Sequence, residues 1–223
     1  MRHQRQIHLI TDPKQTRGNI ASVVAAALRG GVDLVQLREK SGPALRLYEG
    51  AVGIIPKARK LGARVSINDR VDVALATGAD GVHLAARSLP PEAARALIPP
   101  EMLLGVSVHG LEEARAAVDA GADYVTFGHV YPTSSKPGLP PRGVRGLSEI
   151  VESVGVPVLA IGGIDASNVR EVLATGAAGI AVISTILAAE DPESAARELR
   201  RAVDDSPGHP RHPFPERTKG GKI

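Results

Sequence analysis

The sequence predicts an α/β fold of the TIM, or (β/α)8, barrel class in a single domain. Short apolar runs of strand length recur about eight times along the chain, which is the number of strands that closes such a barrel. Few polar residues interrupt these runs, as is typical of parallel strands covered on both faces. Alanine-rich or amphipathic stretches of helical length lie between them. A doubly wound open sheet is the alternative arrangement of the same alternating elements.

The predicted elements follow one another in order along most of the chain. Strands are predicted to start near residues 7, 33, 64, 81, 103, 124, 157 and 179. Helices are predicted at 20–29, 43–61, 71–76, 92–98, 111–120, 147–154 and 191–203. Asn19 stands where its side chain can cap the first of these helices.

Four glycines mark the boundaries between predicted helices and the strands that follow them. Gly62, Gly78, Gly121 and Gly176 each precede an alanine, and an apolar run begins within a few residues. Glycine adopts the left-handed conformation that ends a helix without a Cβ clash. The repeated order of helix, glycine and strand is the local basis of the barrel prediction.

Composition excludes several classes of protein. The chain has 223 residues, is 43% hydrophobic and carries a formal charge of +3, too small a charge to predict a nucleic-acid partner. It has no cysteine, which excludes disulfides, thiolate metal sites and cysteine nucleophiles. No window approaches the ~20 apolar residues that span a bilayer, and the polar start is unlike a signal peptide. We therefore expect a cytoplasmic protein without a membrane partner, and the sequence leaves open whether it is a homo-oligomer.

The barrel is expected to occupy residues 1–203. Beyond Asp204 the composition turns to Pro, Gly, His, Arg and Lys. Such a segment has little apolar surface to bury, so residues 204–223 are expected to form a disordered tail.

Polar residues collect at the carboxyl ends of the predicted strands, which in a barrel face one mouth. Among them are Asn68 and Asp69 after the third strand and His129 at the end of the sixth. A histidine can donate and accept a proton near neutral pH. For a lone histidine, hydrogen bonding at a strand end is the simpler explanation, and His83 and His109 fit that explanation better than His129.

Two segments favour a phosphate site. Gly162-Gly163 ends the seventh predicted strand, and Ile183-Ser184 ends the eighth. Barrels commonly bind phosphate at these positions through backbone N–H groups, and glycine lets the backbone come close. A tight turn without a ligand is the alternative.

Three cations are candidates to bind an anion. Arg38 and Lys40 alternate along the second strand, so both point to one side of it. A salt-bridged rim is the alternative for this pair. Lys136, in the loop after the sixth strand, is either a mobile surface charge or a clamp. Asp69 alone makes a poor metal site, because Mg²⁺ usually takes one or two carboxylates together with substrate phosphate.

Six segments together resemble the thiamine phosphate synthase superfamily. They are Gln36-Leu37-Arg38-Glu39-Lys40, Ile67-Asn68-Asp69-Arg70-Val71-Asp72, Gly81-Val82-His83-Leu84, Ser107-Val108-His109, Ala122-Asp123-Tyr124-Val125 and Ala160-Ile161-Gly162-Gly163-Ile164. They occur in order between about residue 7 and residue 202. The resemblance implies a TIM barrel and a phosphorylated thiazole as the ligand.

The resemblance to the synthases themselves implies a two-substrate enzyme. These enzymes join a pyrimidine diphosphate to a thiazole phosphate with Mg²⁺. The residues that hold their diphosphate correspond to Gln36, Arg38, Lys40 and Ser135-Lys136. Asp69 corresponds to one of their two metal-binding aspartates.

The chain departs from the synthase pattern at two positions. Ser88 stands in place of the second aspartate, and Gly128-His129 replaces the usual Gly-Pro. The thiazole tautomerases, paralogues of the synthases, resemble the chain here through three segments: Phe127-Gly128-His129-Val130, Lys136-Pro137-Gly138-Leu139 and Arg142-Gly143-Val144. In that branch the matching histidine is the acid/base, and no metal is needed.

We therefore predict a thiazole tautomerase, an isomerase without metal or cofactor that converts a thiazole carboxylate phosphate tautomer into its aromatic form. His129 is the predicted general acid/base. The predicted substrate-binding residues are Gly162, Gly163, Ile183, Ser184, Arg38, Lys40, Lys136 and Asn68. A thiamine phosphate synthase and a non-catalytic regulator that binds thiamine phosphates are the alternatives.

Overall fold

The computed structural model describes residues 4–40 and 42–215. In this part of the chain, eight parallel strands form one closed barrel in chain order, with β1 paired to both β2 and β8. The strands are β1 (Gln6–Ile10), β2 (Leu34–Leu37), β3 (Arg64–Asn68), β4 (Gly81–Leu84), β5 (Leu103–Val108), β6 (Tyr124–Gly128), β7 (Val158–Ile161) and β8 (Gly179–Val182). The predicted single-domain TIM barrel is confirmed, and the open sheet is excluded.

Helices cover the outside of the barrel. They are α1 (Ile20–Arg29), α2 (Ala44–Lys60), α3 (Val71–Thr77), α4 (Pro91–Leu97), α5 (Leu111–Asp119), α6 (Gly143–Ser153), α7 (Val169–Ala174), α8 (Ser184–Leu187) and α9 (Pro192–Asp204). In α1 the Asn19 side chain accepts hydrogen bonds from the backbone N–H groups of Ala21 and Ser22, as predicted. Among the described residues, no helix is long and apolar enough to cross a membrane.

Three helices differ from the prediction. Helix α6 starts at Gly143 rather than Leu147, because Gly143 and Gly146 lie within the helix instead of preceding it. A Cβ at Gly146 would come within 3.2 Å of the Phe127 ring, so this glycine lets α6 pack closely on β6. Helices α7 and α8 were not predicted, since segments of 6 and 4 residues are too short to show helical periodicity.

The inside of the barrel holds a buried polar and aromatic cluster, although most of the protein's core is aliphatic. His8 and Tyr124 are each 1% exposed, and His83 is 2% exposed. His83 Nδ1 lies 3.1 Å from the Tyr124 hydroxyl, and its Nε2 lies 2.9 Å from Ser107 Oγ. Burial lowers the pKa of His8 to about 3 and that of His83 to about 4. Both imidazoles are therefore neutral at physiological pH.

Residues 205–215, the C-terminal segment, pass beneath this cluster. The Phe214 ring packs 5.3 Å from the His8 ring and 5.2 Å from the Tyr124 ring, between ring centroids. Arg5 donates hydrogen bonds to the carbonyls of Ser206 and Pro207, which attach the segment to the start of the chain. The disordered tail predicted for 204–223 thus begins with residues that have defined contacts, and its last part, 216–223, lies outside the described residues.

Candidate active site

The carboxyl ends of the strands and the loops after them enclose a cavity of about 460 Å³. Every residue predicted to act at the site lines it: Arg38, Lys40, Asn68, His129, Lys136, Gly162, Gly163, Ile183 and Ser184. His109 lines the cavity as well, whereas His83 lies deeper in the barrel. The structure therefore brings the predicted residues together, while the roles assigned to them remain predictions.

A chain of hydrogen bonds between neighbouring strands orients a carboxylate at the cavity. Gln36 donates from Nε2 to Asn68 Oδ1 at 2.8 Å, and Asn68 donates from Nδ2 to Asp69 Oδ2 at 2.6 Å. The other carboxylate oxygen of Asp69 accepts a hydrogen bond from the Ser88 hydroxyl. Gln36 and Asn68 are buried, whereas Asp69 is exposed at the mouth. The buried amides thus fix the direction in which the Asp69 carboxylate is presented.

Asp69 also has an unusual backbone conformation. Its φ of 62° lies in the left-handed region, which aspartate and asparagine tolerate better than most residues. The following helix α3 has Arg70 at its N-cap, and no side chain caps it there. A helix-capping role for the Asp69 side chain is therefore not what the structure shows, and its carboxylate faces the cavity instead.

Arg38 is held in place on both its backbone and its side chain. Thr11 Oγ1 accepts a 2.8 Å hydrogen bond from the Arg38 backbone N–H. The guanidinium lies 3.3 Å from Asp12 Oδ2. Lys40, at the end of the same segment, is exposed. Arg38 thus belongs to a salt-bridged rim and also lines the cavity. The salt bridge therefore does not exclude anion binding by Arg38.

The turn after β7 requires glycine at Gly162 and Gly163 for steric reasons. Both residues have positive φ, 102° and 65°. A Cβ at Gly162 would lie 2.3 Å from the His129 Cβ, and one at Gly163 would lie 2.5 Å from the Pro132 carbonyl oxygen. The loops after β6 and β7 therefore touch through these glycines. These contacts explain the two glycines as a tight turn that needs no ligand. The pair also lines the cavity.

His129 is buried, with 5% of its surface exposed. Its Nε2 lies 3.1 Å from the carbonyl oxygen of Leu139, which can only accept, so Nε2 carries the proton. Among the residues that the structure describes, Nδ1 is buried without a hydrogen-bond partner. In the neutral ring, Nδ1 is then a bare acceptor, and His129 is a wall residue of the cavity.

The loop between β6 and α6 lines the cavity and is attached on two sides. Ser135 Oγ accepts from Gln15 Nε2 at 3.2 Å, and Gln15 also donates to Asp12 Oδ2 at 3.1 Å. On the other side, Lys136 Nζ lies 2.7 Å from His109 Nε2. Sequence reasoning missed Gln15, because a single glutamine in a loop carries no recognisable pattern.

Comparison with known proteins gives the family of the chain. The family model described as thiamine monophosphate synthase matches residues 7–186. The chain belongs to the thiamine monophosphate synthase family. A thiamine-phosphate synthase of Roseiflexus sp. is 44% identical over 199 residues, covering 88% of this chain and 84% of the relative. One of Chlorobium limicola is 48% identical over 174 residues, covering 78% and 83%.

A solved structure extends this likeness within the thiamine monophosphate synthase family to three dimensions. The thiamine phosphate pyrophosphorylase of Pyrococcus furiosus has 42% sequence identity and a TM-score of 0.85. The match covers 93% of this chain and 99% of that one. The agreement therefore includes almost the whole barrel.

These comparisons overturn one prediction. The thiazole tautomerase, an isomerase with His129 as its acid/base, is wrong as the predicted function, because the relatives at 43% to 48% identity are thiamine-phosphate synthases. The prediction gave too much weight to Ser88 and to short segments around His129, in a chain that follows the synthases over most of its length. A buried histidine with one hydrogen bond to a loop carbonyl is compatible with a structural role, which was the simpler explanation.

Proposed function

We propose that this chain is a thiamine-phosphate synthase, a transferase that joins a pyrimidine diphosphate to a thiazole phosphate. The observation that carries the proposal is the convergence of three cations and an oriented carboxylate on one cavity. Arg38 and Lys40 line it from the segment after β2, Lys136 lines it from the loop after β6, and Asp69 lines it after β3. A diphosphate is the ligand that this set of charges suits best.

Our proposal assigns the two anionic groups of the substrates to separate places around the mouth. Gln36 lies in β2, and Arg38 and Lys40 follow that strand, whereas Gly162-Gly163 and Ile183-Ser184 follow β7 and β8. Strand β1 lies between these two regions in the barrel. In our proposal the diphosphate binds at the first region and the phosphate of the thiazole at the second, so that the two rings meet in the cavity between them.

The proposed reaction displaces diphosphate. The bond between the pyrimidine-bearing carbon and a diphosphate oxygen breaks as a bond from that carbon to the thiazole forms. Negative charge builds up on the leaving diphosphate, and Arg38, Lys40 and Lys136 would stabilise it there. Charges that are already in position stabilise such a transition state more than water does, because they need not reorganise. Holding both substrates side by side removes the entropic cost of their encounter.

The family uses Mg²⁺, and the residues here fit that ion with one carboxylate. The Asp69 carboxylate is exposed and held by Asn68 and Ser88. Mg²⁺ is commonly bound by one or two carboxylates together with substrate phosphate. Asp69 would hold it against the diphosphate, where the ion would neutralise developing charge. Among the described residues, no group of three or more His, Asp or Glu side chains forms a preformed metal site.

A direct assay tests the proposed function. Purified protein is incubated with the pyrimidine diphosphate, the thiazole phosphate and Mg²⁺, and thiamine phosphate and inorganic pyrophosphate are quantified. We expect the two products in equal amounts, and their loss on chelation of the metal. Binding of both substrates without any product would overturn the proposal and favour the regulator instead.

Restoring a carboxylate at position 88 is expected to strengthen the metal site. In Ser88→Asp the new carboxylate would lie beside Asp69, because Ser88 now donates a hydrogen bond to it. Like charges in contact repel, so the melting temperature should fall without Mg²⁺ and recover with it. In the presence of pyrophosphate, Mg²⁺ should bind about tenfold more tightly than to the wild type, as expected for one added ligand.

Thermal denaturation and calorimetric titration measure these effects. Ser88→Asn is the matched control, since it changes the size of the side chain without adding charge. If Mg²⁺ failed to stabilise Ser88→Asp more than Ser88→Asn, Asp69 would not be the metal ligand.

A further inference from the structure

Lys136 is held over the cavity by a partner that carries no negative charge. Its Nζ lies 2.7 Å from Nε2 of His109, at the end of β5. Within the described residues, Lys136 makes no direct ion pair with a carboxylate. This differs from Arg38, whose guanidinium is paired with the Asp12 carboxylate. An ammonium held by a neutral imidazole keeps its full charge, whereas one held by a carboxylate loses much of its attraction for an anion.

The imidazole of His109 must have one particular tautomer to do this. An ammonium can only donate, so Nε2 of His109 must accept and carries no proton. The proton of the neutral ring is then on Nδ1, which lies 3.4 Å from Glu113 Oε2. The same oxygen accepts a 2.8 Å hydrogen bond from the His109 backbone N–H. Glu113, in the first turn of α5, thus sets both the backbone position and the tautomer of His109.

The charged groups around His109 favour the neutral ring. Burial lowers the pKa of His109, the Lys136 ammonium lowers it further, and Glu113 and Arg142 act in opposite directions. Burial also lowers the pKa of Lys136, and Arg142 adds to that effect, while the Glu113 carboxylate raises it. Lys136, Glu113 and Arg142 are the charged groups that face this imidazole from the loop, from α5 and from the start of α6.

We propose that His109, oriented by Glu113, is a positioning residue that holds Lys136 over the cavity without neutralising it, so that the ammonium is available to the diphosphate. This inference rests on the proposed function, because it takes the anion at Lys136 to be a diphosphate. The proposal also gives a role to both contacts of the loop between β6 and α6. The Gln15–Ser135 hydrogen bond fixes one side of this loop, and His109 orients the Lys136 ammonium on the other side.

The test uses inorganic pyrophosphate as the probe and compares variants of His109 by calorimetric titration. A glutamine places its amide oxygen near the position of Nε2, whereas an asparagine reaches only as far as Nδ1. We expect His109→Gln to bind pyrophosphate within about twofold of the wild type and His109→Asn about tenfold more weakly, the scale of one lost hydrogen bond to a charged group. His109→Glu should bind most weakly, since its carboxylate would pair with Lys136.

The helix offers a matched pair of controls. Glu113→Ala removes the acceptor that fixes the tautomer and should weaken pyrophosphate binding. Glu112→Ala truncates the neighbouring residue, whose side chain is 90% exposed and 3.9 Å from Arg115, and should leave binding unchanged. Equal affinities of the Gln and Asn variants of His109 would overturn the proposal, as would a wild type that does not bind pyrophosphate.

A second measurement separates this proposal from the proposed function. Nitrogen-15 NMR of the histidine rings near pH 7.5 should show His109 neutral with its proton on Nδ1, and the Glu113→Ala variant should lose this preference. A proton on Nε2, or a doubly protonated ring, would overturn the positioning role even if the enzyme makes thiamine phosphate. Conversely, the expected tautomer and order of affinities without thiamine phosphate formation would overturn only the proposed reaction.

Discussion

Replacing Asp69 with asparagine is expected to lower the rate of thiamine phosphate formation by about a hundredfold to a thousandfold, since a metal ion's charge stabilisation is worth several kcal/mol. Asparagine is the most informative substitution for two reasons. It tolerates the left-handed backbone of this position, where φ is 62°. It also has nearly the same shape and can still accept the hydrogen bond from Asn68. The substitution therefore removes the charge and leaves the loop in place.

The measurement is the steady-state rate as a function of Mg²⁺ concentration. Asp72→Asn is the control, because Asp72 pairs with Arg70 at the surface of the same segment and does not line the cavity. It should keep the wild-type rate. A rate and a Mg²⁺ dependence of Asp69→Asn that both match the wild type would show that the carboxylate has no part in the reaction.

Acid is expected to destabilise the fold through the two histidines inside the barrel. Burial lowers the pKa of His8 to about 3 and that of His83 to about 4, while both are near 6.5 in an unfolded chain. The unfolded state therefore binds more protons below pH 6.5, and stability falls as the pH falls towards the folded-state values. At pH 5 each histidine is expected to reduce the free energy of unfolding by about 2 kcal/mol relative to pH 7 or above.

Chemical denaturation at pH 7.5 and at pH 5 measures this loss. His83→Gln can retain contacts with Tyr124 and Ser107 but does not titrate, so its stability should fall about 2 kcal/mol less over this range. Replacement of His209, which is exposed near the chain end, is the matched control. If His83→Gln lost as much stability in acid as the wild type, the imidazole would not be the group that takes up the proton.

The barrel could be predicted from the sequence because its signals are local. Each glycine after a helix ends that helix, and each apolar run is a strand, so the order of elements follows without knowledge of long-range contacts. The predicted site residues met at one mouth for the same reason, since the carboxyl ends of parallel strands face one way. The Gly162-Gly163 pair and His129 were located correctly before their contacts were known.

The missed features depend on contacts between distant parts of the chain. Gln15 contacts Ser135, and Phe214 packs on His8. The residues of each pair lie so far apart in the chain that no local sequence pattern indicates the contact. The choice between two related enzymes failed for a different reason. A histidine at a strand end and a serine in place of an aspartate are each consistent with more than one chemistry, and only relatedness along the whole chain decided between them.

The route of the C-terminal segment has a consequence for synthesis of the protein on the ribosome. Strand β1 pairs with β8, and the ring of Phe214 covers His8 from below. Strand β1 thus obtains partners from residues that are made about 170 to 200 positions later in the described chain. Contacts over so long a stretch of chain form slowly, because a large loop must close first. The nascent chain must therefore keep β1 from pairing wrongly until β8 and the C-terminal segment have been made.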